Sequence, residues 1–175
     1  MTVTLPETTK SYGTRTVYVV PEADVADPSA AATVADLTGA FKATCYLYGG
    51  GLVSGEQQKG QAPRKECEVE TREQLGTINR TISALQYSYK PQADDTDPAN
   101  AMKAAMGIGT RVWVAERLGV RDTQAVAADD LTNWHLVELG YQNRGMTGDG
   151  EYDEYSITQE AVVKQSIYDV ALTAA

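Results

Sequence analysis

Few residues in this sequence have the type and spacing that catalysis or metal binding requires. His135 is the only histidine, and it stands in the run LTNWHLVEL with no serine or cysteine motif of catalytic type nearby. An activated nucleophile usually needs a base such as an imidazole beside it, and histidine-based metal sites need several imidazoles. We therefore interpret His135 as a strand residue that contacts a neighbouring edge or solvent.

Two acidic clusters are the other candidates for chemistry, Asp94-Asp95-Thr96-Asp97 and residues 149–154. Neither has the alternating acids, central glycine and distal glutamate of a calcium-binding EF-hand loop. The first is typical of a turn leading into a helix capped by Asp97, and the second of a solvated loop. No pair of acids has an interpretable spatial relation. The sequence therefore predicts no catalytic residue, no metal site and no cofactor, and we do not expect an enzyme.

A glycine-rich stretch, residues 49–65, is the least structured part of the sequence. Its opening Gly-Gly-Gly lacks the lysine and following helix of a phosphate-binding loop. Its length exceeds that of an ordinary hairpin connection, and loops this long in compact domains are usually functional or disordered. We predict a flexible contact loop here. Its candidate contact residues are Gly49, Gly50, Gly51, Leu52, Val53, Gly55 and Gly60.

Composition and charge limit the class of partner. The chain has 175 residues, enough for one domain, and a formal net charge of −9. Such an acidic chain is unsuited to binding nucleic acid through a broad basic surface or to docking on an anionic membrane. It contains no run of about 18 apolar residues and no apolar stretch typical of a signal peptide in residues 1–10. The expected location is the cytoplasm or a particle assembled there.

Alternation of apolar and polar residues predicts mostly β-strands. The predicted strands are residues 14–20, 41–48, 65–72, 77–90, 110–117, 124–128, 131–142 and 155–172, the last in two pieces. Asp97 as N-cap and Pro98 in the first helical position predict one helix, residues 98–106, and a further helical turn is expected at residues 33–37. We expect one mainly-β domain, an antiparallel β-sandwich or barrel with one flanking α-helix, a long inter-strand loop and extended terminal arms (residues 1–13 and 155–175).

The predicted strand faces assign two further sets of side chains. Cys45 and Cys67 fall on the apolar faces of two strands joined by the long loop, where two buried thiols or a disulfide would both fit. Glu66, Glu68 and Glu70 share the opposite face of the second strand.

Tyrosine is unusually common, with ten tyrosines against a single phenylalanine. Tyrosine suits surfaces with one wet end, so this ratio indicates burial between subunits. Tyr46 with Tyr48, and Tyr87 with Tyr89, each share one strand face in the prediction. An ordinary amphipathic sheet and a subunit contact both account for these pairs.

Several short stretches occur in a distinctive order along most of residues 15–172. They are TVADL (33–37), ATCYL (43–47), RKECE (64–68), LQYSY (85–89), DPANA (97–101), AADD (127–130) and LGYQ (139–142). This ordered set resembles the major tail tube proteins of long-tailed phages that infect actinobacteria.

The resemblance implies a structural virion protein assembled in the host cytoplasm. Its copies would form hexameric rings whose inner sheets join into a β-barrel around a lumen, and the rings would stack into a tube that conducts double-stranded DNA without binding it specifically. It also implies that the long loop and terminal arms tie one ring to the next. The implied partners are further copies of the chain, a tape measure protein, a tail terminator and a distal tail protein. No membrane partner is implied.

Within that resemblance the candidate residues acquire roles. An acidic lumen wall would repel DNA phosphates, and Glu66, Glu68 and Glu70 are the candidates to line it. The four paired tyrosines become candidate subunit contacts. Two alternatives stay open. One is a monomeric β-sandwich module for carbohydrate binding or calcium-dependent adhesion, with tyrosines lining a sugar face. The other is a hydrolase with paired acids, for which no such pair is evident.

Overall fold

Strands account for most of the chain in the computed structural model, which describes residues 13–25, 27–63, 66–67 and 73–174. The strands are β1 (Arg15–Pro21), β2 (Phe41–Lys42), β3 (Leu47–Gly49), β4 (Val53–Gln61), β5 (Glu73–Ile82), β6 (Leu85–Ser88), β7 (Arg111–Leu118), β8 (Leu131–Met146) and β9 (Tyr155–Ala171). The helices are α1 (Pro28–Ala31), α2 (Val34–Thr38) and α3 (Ala101–Ala105), and Thr44–Tyr46 and Pro98–Asn100 form 3₁₀ turns.

A seven-stranded sheet in the order β2-β1-β7-β8-β9-β6-β3 forms the body of the molecule. All of its neighbouring strands run antiparallel, and the sheet curls into a half-barrel. β4 and β5 pair only with each other, as a separate two-stranded sheet. The predicted antiparallel, mainly-β fold is therefore confirmed, with β1, β7 and most of β8 where the alternation placed them.

The middle of the large sheet is buried on both faces. On β7, Val112 and Val114 face one apolar cluster, while Trp113 and Ala115 face another. Successive side chains of a strand point to opposite faces, so a strand covered on both sides needs apolar residues without interruption. The four consecutive buried apolar residues of β7, Val112 to Ala115, meet that requirement.

Helix α3 covers the first face at one end of the sheet. Met102 and Met106 are completely buried against it. The carbonyl oxygen of Met106 accepts hydrogen bonds from the side-chain amides of Gln142 (2.8 Å) and Gln159 (3.2 Å). These bonds satisfy a carbonyl group that the helix end leaves unpaired, and they join α3 to β8 and β9. The predicted helix is confirmed, except that its first turn is 3₁₀.

The second face is covered by the segment that contains α1 and α2. α2 forms where the sequence predicts a helical turn; Thr33 and Asp36 form a capping box at its start, and Gly39 ends it. Beneath this segment Trp113 and Trp134 meet edge to face, with ring centroids 6.3 Å apart. These large side chains fill the space between the helical segment and the sheet.

Residues 41–48 do not form the single strand that the sequence predicts. The backbone N–H of Ala43 donates to the carbonyl of Val17, but the N–H of Val17 donates to the Thr44 hydroxyl (2.9 Å for both bonds). Because a side chain takes the place of a ladder partner, the chain turns after β2 and resumes pairing only in β3. The predicted faces of this segment, including the shared face of Tyr46 and Tyr48, were wrong.

The predicted strand at residues 124–128 was also wrong. The buried guanidinium of Arg117 donates to the carbonyl oxygens of Gln124 (2.6 Å) and Ala125 (2.9 Å) and pairs with Asp130 (2.9 Å). Carbonyl groups turned toward one cation do not form a strand ladder, so this segment folds as a loop around Arg117.

The remaining strand boundaries also differ from the prediction. Residues 77–90 divide between β5 and β6. β8 continues to Met146, and β9 is one long strand with irregular register instead of two pieces.

The tryptophan pair yields a stability prediction. Trp134→Ala removes a fully buried side chain from the centre of the sheet and should lower the free energy of unfolding by about 3 to 5 kcal/mol. Urea unfolding of the dilute protein measures this change. Tyr152→Ala removes an aromatic ring that is almost fully exposed, and an equal loss in that variant would contradict the assigned core.

Candidate functional site

The two-stranded ribbon of β4 and β5 projects from the body of the molecule. Every residue of β4 after Val53 and every residue of β5 before Ile82 is exposed. The predicted flexible loop was therefore wrong in structure from Val53 onward, since Gly55 and Gly60 lie within β4. Of the strand predicted at residues 65–72, only residues 66 and 67 are described, and they form a turn. The stretch is nevertheless a surface projection, available for contact with another molecule.

Two glycines form the root of the ribbon. Gly50 and Gly51 have φ angles of 86° and 69°, a region that side chains disfavour. A Cβ atom on Gly50 would lie 1.8 Å from the carbonyl oxygen of Ala84, in the connection between β5 and β6. Glycine is thus required at this position by both the backbone angle and the close approach.

Arg15 of β1 holds this root against the sheet. Its guanidinium donates to the carbonyl oxygens of Gly50 and Gly51 (3.3 Å each) and to the carboxylate of Glu116 (2.5 Å). Glu116 is nearly buried, and a buried carboxylate requires a charged partner. The same cation therefore compensates Glu116 and fixes the start of the ribbon.

A polar row continues from Glu116 across the same face of the sheet. His135 is only 1% exposed, its Nδ1 lies 2.9 Å from the Ser166 hydroxyl, and its ring meets the Tyr168 ring at 5.3 Å. The Arg80 guanidinium of the ribbon lies 5.9 Å from the centre of the Tyr168 ring. The expectation that His135 contacts solvent or a neighbouring edge was wrong, because it lies within the sheet near the ribbon.

Burial lowers the pKa of His135 below its ordinary value of 6.5. Glu116 acts in the opposite direction, while Arg80 and Arg15 add to the lowering. The imidazole is therefore neutral near pH 7 and serves as a hydrogen-bonding member of the row.

Tyr46 and Tyr48 are held by different contacts. Tyr46 lies in a 3₁₀ turn, and its hydroxyl donates to the carbonyl of Pro98 (3.1 Å). The exposed Tyr48 donates its hydroxyl to the carboxylate of Glu154. Desolvation and this carboxylate raise the pKa of Tyr48 to about 12.

Tyr87 and Tyr89 also have different environments. Tyr87 is completely buried, and its hydroxyl donates to the side-chain oxygen of Gln159 (2.9 Å). It has no surface to offer a neighbouring subunit, so its predicted contact role was wrong. Tyr89 is half-buried between the cations of Lys103 and Arg144, 5.8 and 5.4 Å from its ring centre. Tyr89 and Tyr155 line two adjoining surface hollows of about 400 and 510 Å³, and Tyr48 lines the smaller one.

The remaining predicted residues are the three glutamates and the two cysteines. Glu66 is exposed in a turn, and Glu68 and Glu70 lie outside the described residues. Cys45 and Cys67 are both exposed and free, so neither the disulfide nor the buried thiols apply. Among the described residues no group of His, Cys, Asp and Glu is arranged to hold a metal ion. The helices described here are too short or too polar to cross a membrane.

The protein is therefore a β-sheet body from which the ribbon projects. A family model described as phage tail tube protein matches residues 2–175. Because the match covers nearly the whole chain, the chain belongs to the phage tail tube protein family, whose members are structural proteins of the virion tail. No curated protein matches the sequence significantly.

The root geometry yields a prediction about Gly50. Gly50→Ala places a Cβ against the Ala84 carbonyl and adds strain of about 1 to 2 kcal/mol from the positive φ angle alone. We expect faster amide hydrogen exchange at Gly51 and Ser83, whose N–H groups bond across the root. Gly60→Ala is the control, because no atom lies within 4 Å of its added Cβ. Equal exchange in both variants would contradict the root assignment.

The buried histidine yields a pH dependence. Since the folded pKa lies below 6.5, the unfolded chain binds a proton before the folded chain does as the pH falls. Stability should therefore decrease as the pH falls below 6.5, until the lowered folded pKa is reached. Urea unfolding between about pH 7.5 and pH 5 tests this linkage. The His135→Gln variant should show a flatter profile, and an unchanged slope would refute the assignment.

Proposed function

We propose that this chain is the major tail tube subunit of a long-tailed phage that infects actinobacteria. Its copies form hexameric rings that stack into a tube, and the tube conducts DNA into the host cell during ejection. The projecting ribbon, in a member of the tail tube protein family, is the observation that carries this proposal. A two-stranded hairpin is at best marginally stable by itself in water, so a ribbon exposed along its length suits contact with another molecule.

The large sheet has a long free edge that supports joining between copies. β6 pairs with β9 only over residues 156–159. On that side of β9, no strand in the described chain pairs with residues 160–171. Free edges invite pairing with another chain, and a β-barrel closed by neighbouring copies would remove them.

Stacking of identical rings accounts for a tube. A contact between two different surfaces of the same chain does not close on itself along the stacking axis, so it propagates as a filament. The proposed stacking elements are residues 1–13, the ribbon and the residues around its root (Gly49, Gly50, Gly51, Leu52 and Val53). Tyr46, Tyr48 and Tyr89 are the proposed contacts within a ring.

The charge of the chain suits a channel for DNA. A net charge of −9 gives a wall that repels phosphates and prevents the genome from adhering. Glu66, with Glu68 and Glu70 next along the chain, is proposed to line the lumen. Assembly in the host cytoplasm, with a tape measure protein inside and terminator and distal tail proteins at the two ends, completes the proposal.

Replacement of the ribbon tests this function. The N–H of Ser83 donates to the carbonyl of Leu52 (3.0 Å) at the root, so the chain ends are adjacent there. An Asn-Gly turn in place of residues 54–81 should close the shortened hairpin. The wild-type protein should form tubes of uniform bore in negative-stain electron microscopy at high concentration. The shortened variant should remain folded by circular dichroism but form no tubes.

The possible results separate the function from the role of the ribbon. Wild-type protein that remains monomeric at high concentration would overturn the tube function. Specific glycan binding by such a monomer would favour a carbohydrate-binding module, with the hollows lined by Tyr48, Tyr89 and Tyr155 as its site. Tubes formed by the shortened variant would overturn only the stacking role of the ribbon.

A further inference from the structure

A register shift aligns the apolar side chains of the ribbon. Val53 pairs with Ile82 and Gln57 with Ile78, but Lys59 then pairs with Leu75 instead of the expected residue 76. The extra residue in β5 is a β-bulge, which changes the face to which the following side chains point. Leu75 therefore lies on the same face as Ile78, Ile82 and Val53, although its sequence number alone would place it on the other.

The two faces of the ribbon consequently differ in chemistry. On the opposite face Glu56 pairs with Asn79, and the hydroxyls of Ser54 and Thr81 lie 3.1 Å apart. That face is polar along the paired residues. On the apolar face, a Cβ added to Gly55 would contact the Ile78 side chain at 3.4 Å, which confirms that these two residues share it.

The part of the apolar face near the root already packs on the sheet. Ile82 packs against the core of the body, and Arg80 lies over the Tyr168 ring. Farther along the ribbon, Ile78 is 51% exposed and Leu75 is 67% exposed. The apolar face of the ribbon thus extends beyond the part that packs on its own chain. No described residue packs on its outer half.

The charges of the ribbon indicate what covers this outer half. The apolar face carries Lys59 and Arg80 against the single acid Glu73, whereas the polar face carries Glu56. These four charges cancel, so the net charge of −9 lies entirely outside the two ribbon strands. A face with apolar residues and an excess of cations complements an acidic surface, and the rest of this same chain is acidic.

We propose that the outer apolar face of the ribbon, formed by Leu75 and Ile78 and flanked by Lys59 and Arg80, packs on the body of a second copy of this chain. The polar face, with Ser54, Glu56 and Asn79, stays in solvent. This inference rests on the proposed tube function and assigns one of the two faces of the ribbon to the contact between copies.

Two adjacent positions provide a matched test. Ile78→Asp and Asn79→Asp introduce the same side chain and the same change of charge at exposed neighbouring residues on opposite faces. Ile78→Asp should raise the protein concentration required for assembly about tenfold or more, because it places a carboxylate in an apolar contact. Asn79→Asp should change that concentration less than about twofold, as expected for a solvated surface position. Sedimentation of assembled protein across a concentration series measures both effects.

The outcomes distinguish this inference from the function on which it rests. Thermal unfolding of each dilute variant should match that of the wild type, since both positions are exposed. Equal assembly by both variants, or an equal defect in both, would overturn the face assignment while wild-type tubes still support the function. A defect confined to Asn79→Asp would reverse the assignment. A wild-type protein that never assembles would overturn the function and this inference together.

Discussion

Burial of the central strands on both faces is the constraint on which the rest of the structure depends. A sheet with one apolar face needs one covering layer, whereas β7 and its neighbours, which are apolar on both faces, need two. Helix α3 supplies part of one layer and the segment with α1 and α2 supplies the other. Among the described residues, the ribbon is the large element that lies outside both of these layers.

The ribbon and the body are joined by charge and by backbone geometry. Arg15 lies on a strand of the body and bonds the two glycine carbonyls where the ribbon begins. Glu116 and His135 extend this polar row across the sheet, and Arg80 meets its far end from the ribbon side. This face of the large sheet is mostly apolar, but it becomes polar at the end where the ribbon is attached.

The elements that the sequence predicts correctly are those with a local signal, such as a helix cap or an alternating apolar pattern. A helical turn is predicted at residues 33–37, Asp97 and Pro98 mark a helix start, and the alternation in β7 predicts a strand. β4 escaped prediction as a strand because nearly all of it is exposed, so its sequence contains glutamine and glycine without apolar alternation. The loop around Arg117 and the burial of Tyr87 depend on partners distant in sequence, which no local pattern reveals. The alignment of Leu75 with Ile78 needs a bulge that only the paired register makes visible.

The glycine pair at the base of the ribbon has a mechanical consequence. β5 has ten residues, so at about 3.3 Å per residue its tip lies roughly 30 Å from its base. A rotation of about 10° at the base would displace the tip by roughly 5 Å, about one strand spacing. Small changes at Gly50 or Arg15 would thus be amplified into a shift of register at the far end. If the tip of the ribbon sets the distance between neighbouring copies, the precision of that distance depends on the few atoms that hold the base.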